Sequence, residues 1–169
     1  IEMDRGVLDR MTAAFEHLLR NCVVHGVEEP VVRAAAGKEP VGTITIDLQQ
    51  AGNDVSVTFH DDGAGLDVPR ILEKAVHHGL IAPGQALSDD EAANLIFMPG
   101  LTTATEVTEL AGRGIGMDVV RAEVQALGGR IETATQTGRG TSFKLVLPLT
   151  TAVTQVVIMR SGALSIGVP

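Results

Sequence analysis

Two stretches with a repeat of two residues around a glycine-containing turn constrain the fold of this chain more than any other feature. The first has apolar residues at every second position over 44–48 and 55–59, around the turn Ala51-Gly52-Asn53-Asp54. The second pairs Ile131, Thr133 and Thr135 with Phe143, Leu145 and Leu147 across Gly138-Arg139-Gly140. Such alternation around a glycine-containing turn predicts a β-hairpin with one buried face. Each hairpin therefore needs a covering layer.

Helical patterns supply that layer. Apolar residues recur at steps of three and four at Leu8, Met11, Phe15, Leu18 and Cys22. This stripe predicts a helix that ends near Gly26, a candidate C′ residue. Further helices are predicted at 71–79, at 89–97 behind a capping box, and around 120–127. Residues 27–40 are interpreted as a polar excursion, and 98–113 as a long loop.

The order of these elements predicts the fold class. Helix, hairpin, helices and a second hairpin follow one another, with the 98–113 loop between two of the helices. Helices segregated to one face of a sheet form a two-layer α/β sandwich, and we expect a mixed sheet. Residues 148–169 change character: Pro148 breaks the strand, and new strands are predicted around Ser161-Gly162. We expect a catalytic domain at 1–147 and the start of a second, β-rich domain at 148–169.

Composition excludes several classes of function. The net charge of −8 disfavours a nucleic-acid surface, which needs clustered Lys and Arg. No apolar run approaches the roughly 20 residues that cross a bilayer. The single cysteine cannot form an internal disulfide, so a reducing, cytoplasmic setting is expected.

Polar residues on the first predicted helix form the first candidate site. His17, Asn21 and His25 follow one another at steps of four and share a helical face beside the apolar stripe. They could line a cleft, or they could belong to a solvated helix surface. Zinc is a weak competitor, because the spacing is not H-E-x-x-H and no third ligand completes a set.

A glycine-punctuated loop after a strand forms the second candidate site. Asp61 ends the strand, and Gly63 and Gly65 allow the backbone to approach a flat ligand closely. A buried aspartate could accept a hydrogen bond from an exocyclic amine and so recognise adenine. The alternative is an ordinary Asp-Gly turn.

A glycine-rich helix start forms the third candidate site. Gly112, Gly114, Gly116 and Met117 open a helix, and backbone N–H groups at such a start can bind phosphate. The spacing matches neither a Rossmann fingerprint nor a P-loop. A flexible hinge is the alternative, with Met117 as core filler. Taken in order, the three candidate sites make a complete nucleotide site.

Five motifs resemble those of chemotaxis-type histidine kinases. They are EHLLRNCVVHGVE at 16–28, DDGAGL at 61–66, IFMPGLTTA at 96–104, GRGIGMDVV at 112–120 and GRGTSF at 138–143, followed by LPLT at 147–150. The resemblance covers nearly the whole chain. It implies the Bergerat-type (GHKL) ATP-binding fold shared with gyrase, Hsp90 and MutL, and it implies ATP and Mg²⁺ as ligands.

The resemblance also implies roles for single residues. Asp61 would bind the adenine amine, Asn21 would hold Mg²⁺, and His17 would stand where related ATPases keep a glutamate base. Because imidazole activates water less well than glutamate, His17 suits transfer to a histidine better than hydrolysis. The remaining ATP contacts would be His25, Gly63, Gly65, Arg70, Gly112, Gly114, Gly116, Met117 and Thr141. Two departures, Val24 and Cys22, are expected to alter packing or partner contacts rather than to abolish activity.

The resemblance implies partners as well. The γ-phosphoryl group would pass to a histidine phosphotransfer domain of the same or a partner chain, and then to a response regulator. The second domain, of SH3-like type, would bind a coupling protein and receptors, and the full-length protein would be a homodimer. The alternatives are an ATPase clamp of the same fold and a catalytically inactive nucleotide-binding scaffold.

Overall fold

In the part of the chain that the structure describes, four strands and five α-helices make up the main body. The structure, a computed structural model, describes residues 4–99, 101, 116–149, 157–161 and 164–168. The helices are α1 (Arg5–Asn21), continued by a π-helix (Cys22–Gly26), α2 (Pro30–Ala35), α3 (Val68–His77), α4 (Asp89–Asn94), continued by a 3₁₀ turn (Leu95–Phe97), and α5 (Met117–Ala126). The strands are β1 (Ile44–Ala51), β2 (Asp54–Asp61), β3 (Arg130–Gln136) and β4 (Gly140–Pro148).

The sheet places the second hairpin beside the first. Its order is β1-β2-β4-β3, so β2 and β4 are the central strands. In the register, Ile46, Phe59, Phe143 and Thr133 lie side by side on one face. The two-layer α/β prediction is confirmed. The expected mixed sheet is wrong for the described strands, because all three pairings are antiparallel.

The core lies between the central strands and the helices. Met11 and Leu18 of α1 and Val120 and Val124 of α5 are buried against β2 and β4. Phe15 contacts Phe59 with ring centroids 5.6 Å apart. This helical layer leaves the polar alternate positions of β2 on the opposite face, as the alternation predicts.

Helix ends are set by local chemistry that the sequence signals. Ser88 and Glu91 form the predicted capping box at the start of α4. Gly79 adopts φ +70 after α3, and the Leu80 amide donates to the Ala75 carbonyl at 2.8 Å, which closes a Schellman turn. Gly128 ends α5 in the same conformation. These predicted boundaries are confirmed.

Two local predictions are wrong. Residues 27–40 contain a helix, α2, which begins at Pro30 in the first helical turn. Gly26 is not a left-handed C′ residue, since it lies inside the π-helix and the residue after it is extended. Strand β4 does end at Pro148, as predicted, although the Leu149 amide still donates to the Asn53 carbonyl at 2.7 Å.

The C-terminal region contains a separate hairpin. Strands β5 (Val157–Ser161) and β6 (Leu164–Val168) pair antiparallel, which confirms a hairpin around Ser161-Gly162. The division at residue 148 stays a prediction. Within the described residues, no helix is long and apolar enough to cross a bilayer.

Candidate functional site

Asp61 is the centre of the site. It ends the central strand β2 and is 1% exposed. Its Oδ1 accepts hydrogen bonds from the Gly63 amide at 3.0 Å and the Thr141 amide at 3.3 Å, and the Cys22 thiol bonds the same carboxylate. A carboxylate has about four acceptor positions. Three donors therefore leave room for one more, such as a ligand amine.

The electrostatics of Asp61 reflect its dry surroundings. Burial raises the pKa of Asp61 above its usual value, while the Gly63 and Thr141 amides act in the opposite direction. Burial also raises the pKa of Cys22 to about 12, and the Asp61 charge adds to this effect. The thiol is therefore a neutral donor at physiological pH. A hydrogen bond made to this carboxylate would be stronger than one in water.

Three glycines lie close to Asp61 or to one another around it. A Cβ at Gly26 would lie 2.7 Å from the Asp61 Cγ and Oδ2 atoms. A Cβ at Gly63 would overlap the Gly26 carbonyl oxygen, and one at Gly140 would overlap the Asp61 carbonyl oxygen. The Ala64 amide donates to the Gly26 carbonyl at 2.9 Å, so the backbones touch directly. Close backbone approach explains the glycine at each position.

The loop after Asp61 is fastened to the second hairpin. The Leu66 amide donates to Thr135 Oγ1 at 2.8 Å, and the Gly138 amide donates to the Ala64 carbonyl at 2.8 Å. Gly65 has φ +78, and a Cβ there would lie 2.7 Å from the Gln136 carbonyl oxygen. Gly65 thus meets both a conformational and a steric requirement.

The structure brings the first candidate site next to the third. Asn21, at the end of α1, donates from Nδ2 to Met117 Sδ at 2.8 Å, although the two residues are 96 positions apart. His17 is half-buried. Its pKa is lowered by burial first and then by Arg20 and His25, while Asp118 acts in the opposite direction. A neutral imidazole and an amide therefore lie beside the start of α5.

The π-helix changes the position of His25. His17 and Asn21 keep the predicted four-residue spacing within α1, but the Val27 amide bonds the Cys22 carbonyl, five residues earlier, at 2.9 Å. This wider turn brings Cys22 and Gly26 against Asp61 and shifts His25 from the α-helical spacing. His25 is exposed and still acts electrostatically on His17. Single π-turns are frequent at functional sites.

Of the other residues predicted to contact ATP, those that the structure describes lie at different distances from Asp61. Thr141 contacts Asp61 through its backbone amide, while its hydroxyl lies 3.4 Å from Thr135 Oγ1. Gly116 caps α5 in an extended conformation. Arg70 is exposed in the first turn of α3, where its amide is capped by Asp67. Gly112 and Gly114, and most of the predicted 98–113 loop, lie outside the described residues.

Sequence reasoning missed the part of the site supplied by 28–38. Arg33 is 1% exposed, and together with Lys38 it bonds the Asp62–Gly63 backbone. The sequence does contain one signal for this segment, since Glu29-Pro30 marks a helix start. Cys22 was expected to affect packing or partner contacts, whereas its thiol bonds the central carboxylate.

The described residues fit a magnesium ion only if phosphate oxygens also coordinate that ion. Asn21 uses Nδ2 for Met117, so Oδ1 is the atom that can ligate a hard cation. Among the described side chains, no group of three or more His, Cys, Asp and Glu could hold a metal. Mg²⁺ commonly takes one or two protein ligands plus substrate phosphates. A single amide oxygen is compatible with that mode.

Comparisons with known proteins agree with this geometry. Residues 6–151 match the family described as histidine kinase-, DNA gyrase B- and HSP90-like ATPases. Chemotaxis protein CheA of Klebsiella aerogenes is 43% identical over 152 residues, which cover 90% of this chain and 23% of that protein. Chemotaxis protein CheA of Cereibacter sphaeroides is 42% identical over 168 residues, with 99% and 24% covered.

A solved structure shows the same fold. The Erythrobacter litoralis EL346 blue-light activated histidine kinase matches with a TM-score of 0.54 at 17% identity, over 91% of this chain and 34% of that one. At that identity the likeness shows the fold alone. This chain spans about a quarter of the length of the curated relatives named above. The resemblance that the motifs indicated is confirmed.

Proposed function

Because this chain belongs to the family of histidine kinase-, DNA gyrase B- and HSP90-like ATPases, we propose that it is the catalytic, ATP-binding part of a chemotaxis histidine kinase. In this proposal it passes the γ-phosphoryl group of Mg-ATP to a histidine on a separate phosphotransfer domain. The observation that carries the proposal is the enclosed Asp61 carboxylate, with three donors in place and one acceptor position left.

Asp61 is proposed to bind the exocyclic amine of adenine. The carboxylate is fixed by the Gly63 and Thr141 amides before any ligand arrives, so little ordering is required on binding. Gly63 and Gly65 keep side chains away from the plane of the base. A base with a carbonyl in place of the amine would set an oxygen against the carboxylate.

Asn21, His17 and the start of α5 are proposed to act on the phosphates. Asn21 Oδ1 would hold Mg²⁺, which, when bound, offsets negative charge on the phosphate oxygens. Backbone N–H groups in the Gly112–Gly116 segment, which is only partly described, would bind phosphate oxygens at the helix start. His25 and Arg70 are proposed as further phosphate contacts. Phosphoryl transfer needs mainly such positioning and neutralisation of charge.

His17 is proposed to favour transfer over hydrolysis. Burial lowers the pKa of His17, so the imidazole is neutral at physiological pH. A neutral imidazole holds a water molecule less strongly than a charged carboxylate does. Glu16 does not replace it, because neighbouring helical residues differ by about 100° in direction. An imidazole acceptor from another domain could then approach without a competing activated water.

The wider context is proposed from the chemotaxis relatives. The acceptor domain would lie in the same or a partner chain, and a response regulator would take the phosphoryl group onward. Residues 148–169 would begin an SH3-like domain that binds a coupling protein and receptors, in a cytoplasmic homodimer. The β5–β6 hairpin supports a β-rich segment there.

Labelled ATP tests the proposal against both alternatives. The protein is incubated with γ-labelled ATP and Mg²⁺, with and without a histidine phosphotransfer domain from a chemotaxis kinase. We expect label on the added domain, stable to base and labile to acid, and little release of free phosphate. Rapid hydrolysis without transfer would instead indicate an ATPase clamp, and binding without either reaction would indicate an inactive scaffold.

Asn21→Asp is the matched variant for that assay. An aspartate keeps the shape but adds negative charge beside the phosphates, so transfer should fall by more than ATP binding does. The exposed Lys144→Met substitution on β4 serves as the control and should change neither. Equal loss of binding and transfer in Asn21→Asp would contradict the role given to Asn21.

A further inference from the structure

Arg33 is a fully buried cation next to the candidate site. Its guanidinium donates to Glu28 Oε2 at 3.0 Å, to Asp62 Oδ2 at 2.9 Å and to the Asp62 carbonyl at 3.2 Å. A fourth hydrogen bond joins Nε to the Glu39 carbonyl at 2.8 Å. A buried charge is tolerated only when it is paired and hydrogen-bonded, and both conditions hold here.

Lys38 bonds the same stretch of backbone from a second direction. Its Nζ donates to the Gly63 carbonyl at 2.7 Å, to the Asp62 carbonyl at 3.0 Å and to Glu28 Oε1 at 2.7 Å. The Lys38 bond holds the pKa of Glu28 below its usual value, so this carboxylate is ionised. Two cations and two carboxylates, Glu28 and Asp62, therefore form a closed network, which we call the 28–38 network.

The direction of one peptide group links this network to Asp61. In a trans peptide the C=O and the next N–H point in opposite directions, and the described chain has no cis peptide. Arg33 and Lys38 both attract the Asp62 carbonyl. The Gly63 N–H must then point away from them, and it donates to Asp61 Oδ1. Fixing the Asp62 carbonyl therefore fixes the direction of the Gly63 N–H.

We propose that Arg33 and Lys38 are positioning residues of the nucleotide site, which hold the Asp62–Gly63 peptide so that the Gly63 amide aims the Asp61 carboxylate at the ligand. This inference rests on the proposed adenine-binding role of Asp61. It assigns a function to residues 28–38, which match none of the site predictions made from the sequence.

The distribution of contacts favours this role over simple packing. Four of the seven hydrogen bonds from the two cations end on Asp62 or Gly63. The apolar side chains of α2 contribute little to the core, since Val31 is 82% exposed and Val32 is 55% exposed. The segment is thus attached to the protein mainly through its bonds to the Asp61 loop.

The test compares ATP with inosine triphosphate, which has a carbonyl in place of the adenine amine. Lys38→Met keeps the aliphatic stem and removes the charge, and Lys144→Met is the same change at an exposed position of β4. We expect Lys38→Met to reduce the ratio of ATP to inosine triphosphate affinity about three- to tenfold, which corresponds to one hydrogen bond. Lys144→Met should leave the ratio unchanged.

The ratio separates positioning from loss of folded protein. A variant that merely unfolds in part would bind both nucleotides more weakly by the same factor. Arg33→Lys, which keeps the charge but cannot make four hydrogen bonds, should give an intermediate ratio. An unchanged ratio in Lys38→Met, with a wild type that prefers ATP, overturns this inference and leaves the proposed function standing. A wild type without preference overturns both.

Amide exchange gives a second readout that needs no nucleotide. In Lys38→Met the Gly63 amide should lose protection about tenfold relative to wild type, because its hydrogen bond to Asp61 is no longer held. Amides of the central strand, such as that of Leu145, should keep theirs. Equal protection of Gly63 in both proteins would overturn the inference even if no ATP were bound.

Discussion

Replacing Gly26 with alanine should reverse the usual effect of such a change. Gly26 lies in the π-helix that continues α1, without a positive φ. In a helix, alanine normally stabilises relative to glycine by about 1 kcal/mol. Here the added Cβ would lie 2.7 Å from the Asp61 Cγ and Oδ2 atoms and 2.9 Å from Oδ1. The carboxylate must therefore move.

The size of the effect follows from the contacts of Asp61. Restoring an ordinary van der Waals contact requires a shift of at least about 0.7 Å. The Thr141 bond is already 3.3 Å long and would be the first to break. Losing one hydrogen bond to a buried charge costs about 1.5–3 kcal/mol, offset by the helix preference of about 1 kcal/mol. We expect a net loss of about 0.5–2 kcal/mol in the free energy of unfolding.

Urea unfolding followed by far-UV circular dichroism is the appropriate measurement, because the chain has no Trp or Tyr for fluorescence. ATP affinity should fall at least about tenfold in the same variant, since Asp61 is displaced. The comparison is Gly79→Ala, where φ is +70 and nothing lies within 4 Å. That variant should lose about 1 kcal/mol through backbone strain and keep its ATP affinity. A Gly26→Ala protein that is more stable and binds ATP normally would refute the reasoning.

Three further substitutions test the electrostatics and packing. Burial raises the pKa of Cys22 to about 12, so the stabilisation from its neutral thiol is complete below about pH 8.5 and is lost as the pH rises. The wild type should therefore lose stability faster than Cys22→Ala between pH 8 and 10. Burial lowers the pKa of His17, so the wild type should lose stability relative to His17→Gln as the pH falls from about 7 to 5 in urea titrations. Thr133 Oγ1 is buried with no hydrogen-bond partner in the described part of the chain, so Thr133→Val should raise the free energy of unfolding by about 1 kcal/mol, and a decrease would contradict this assignment.

The periodicity of apolar residues was sufficient to predict the main helices and strands. It was not sufficient to predict how deeply each of them is buried. The stripe on α1 correctly includes Met11 and Leu18, but Leu8 is 42% exposed. Strand β1 alternates as regularly as β2, and yet Ile46 is 54% exposed and Leu48 is 49% exposed. The cause is position, because β1 is an edge strand beyond the helical layer. Alternation indicates which face points inward and not whether anything covers it.

Some residues of the candidate site could be predicted from the sequence and others could not. Asp61, Gly63 and Gly65 could be recognised because their spacing is local to one loop. The contact between Asn21 and Met117 joins positions 96 residues apart, and only their order along the chain suggested it. Arg33 could not be predicted, since an arginine in a polar segment is usually solvated. Its burial depends on two carboxylates and two carbonyls that the fold assembles around it.

Titration of Asp61→Asn with Mg-ATP, beside the wild type, tests the central claim most directly. The substitution keeps the shape of the side chain and removes the charge that is proposed to accept the adenine amine. Calorimetry should show a dissociation constant at least about 30-fold higher in the variant, close to the 2 kcal/mol expected for a buried hydrogen bond to a charged group. Circular dichroism should show both proteins folded under the conditions of the titration. Equal ATP affinity in the two folded proteins would contradict the claim that Asp61 reads the base.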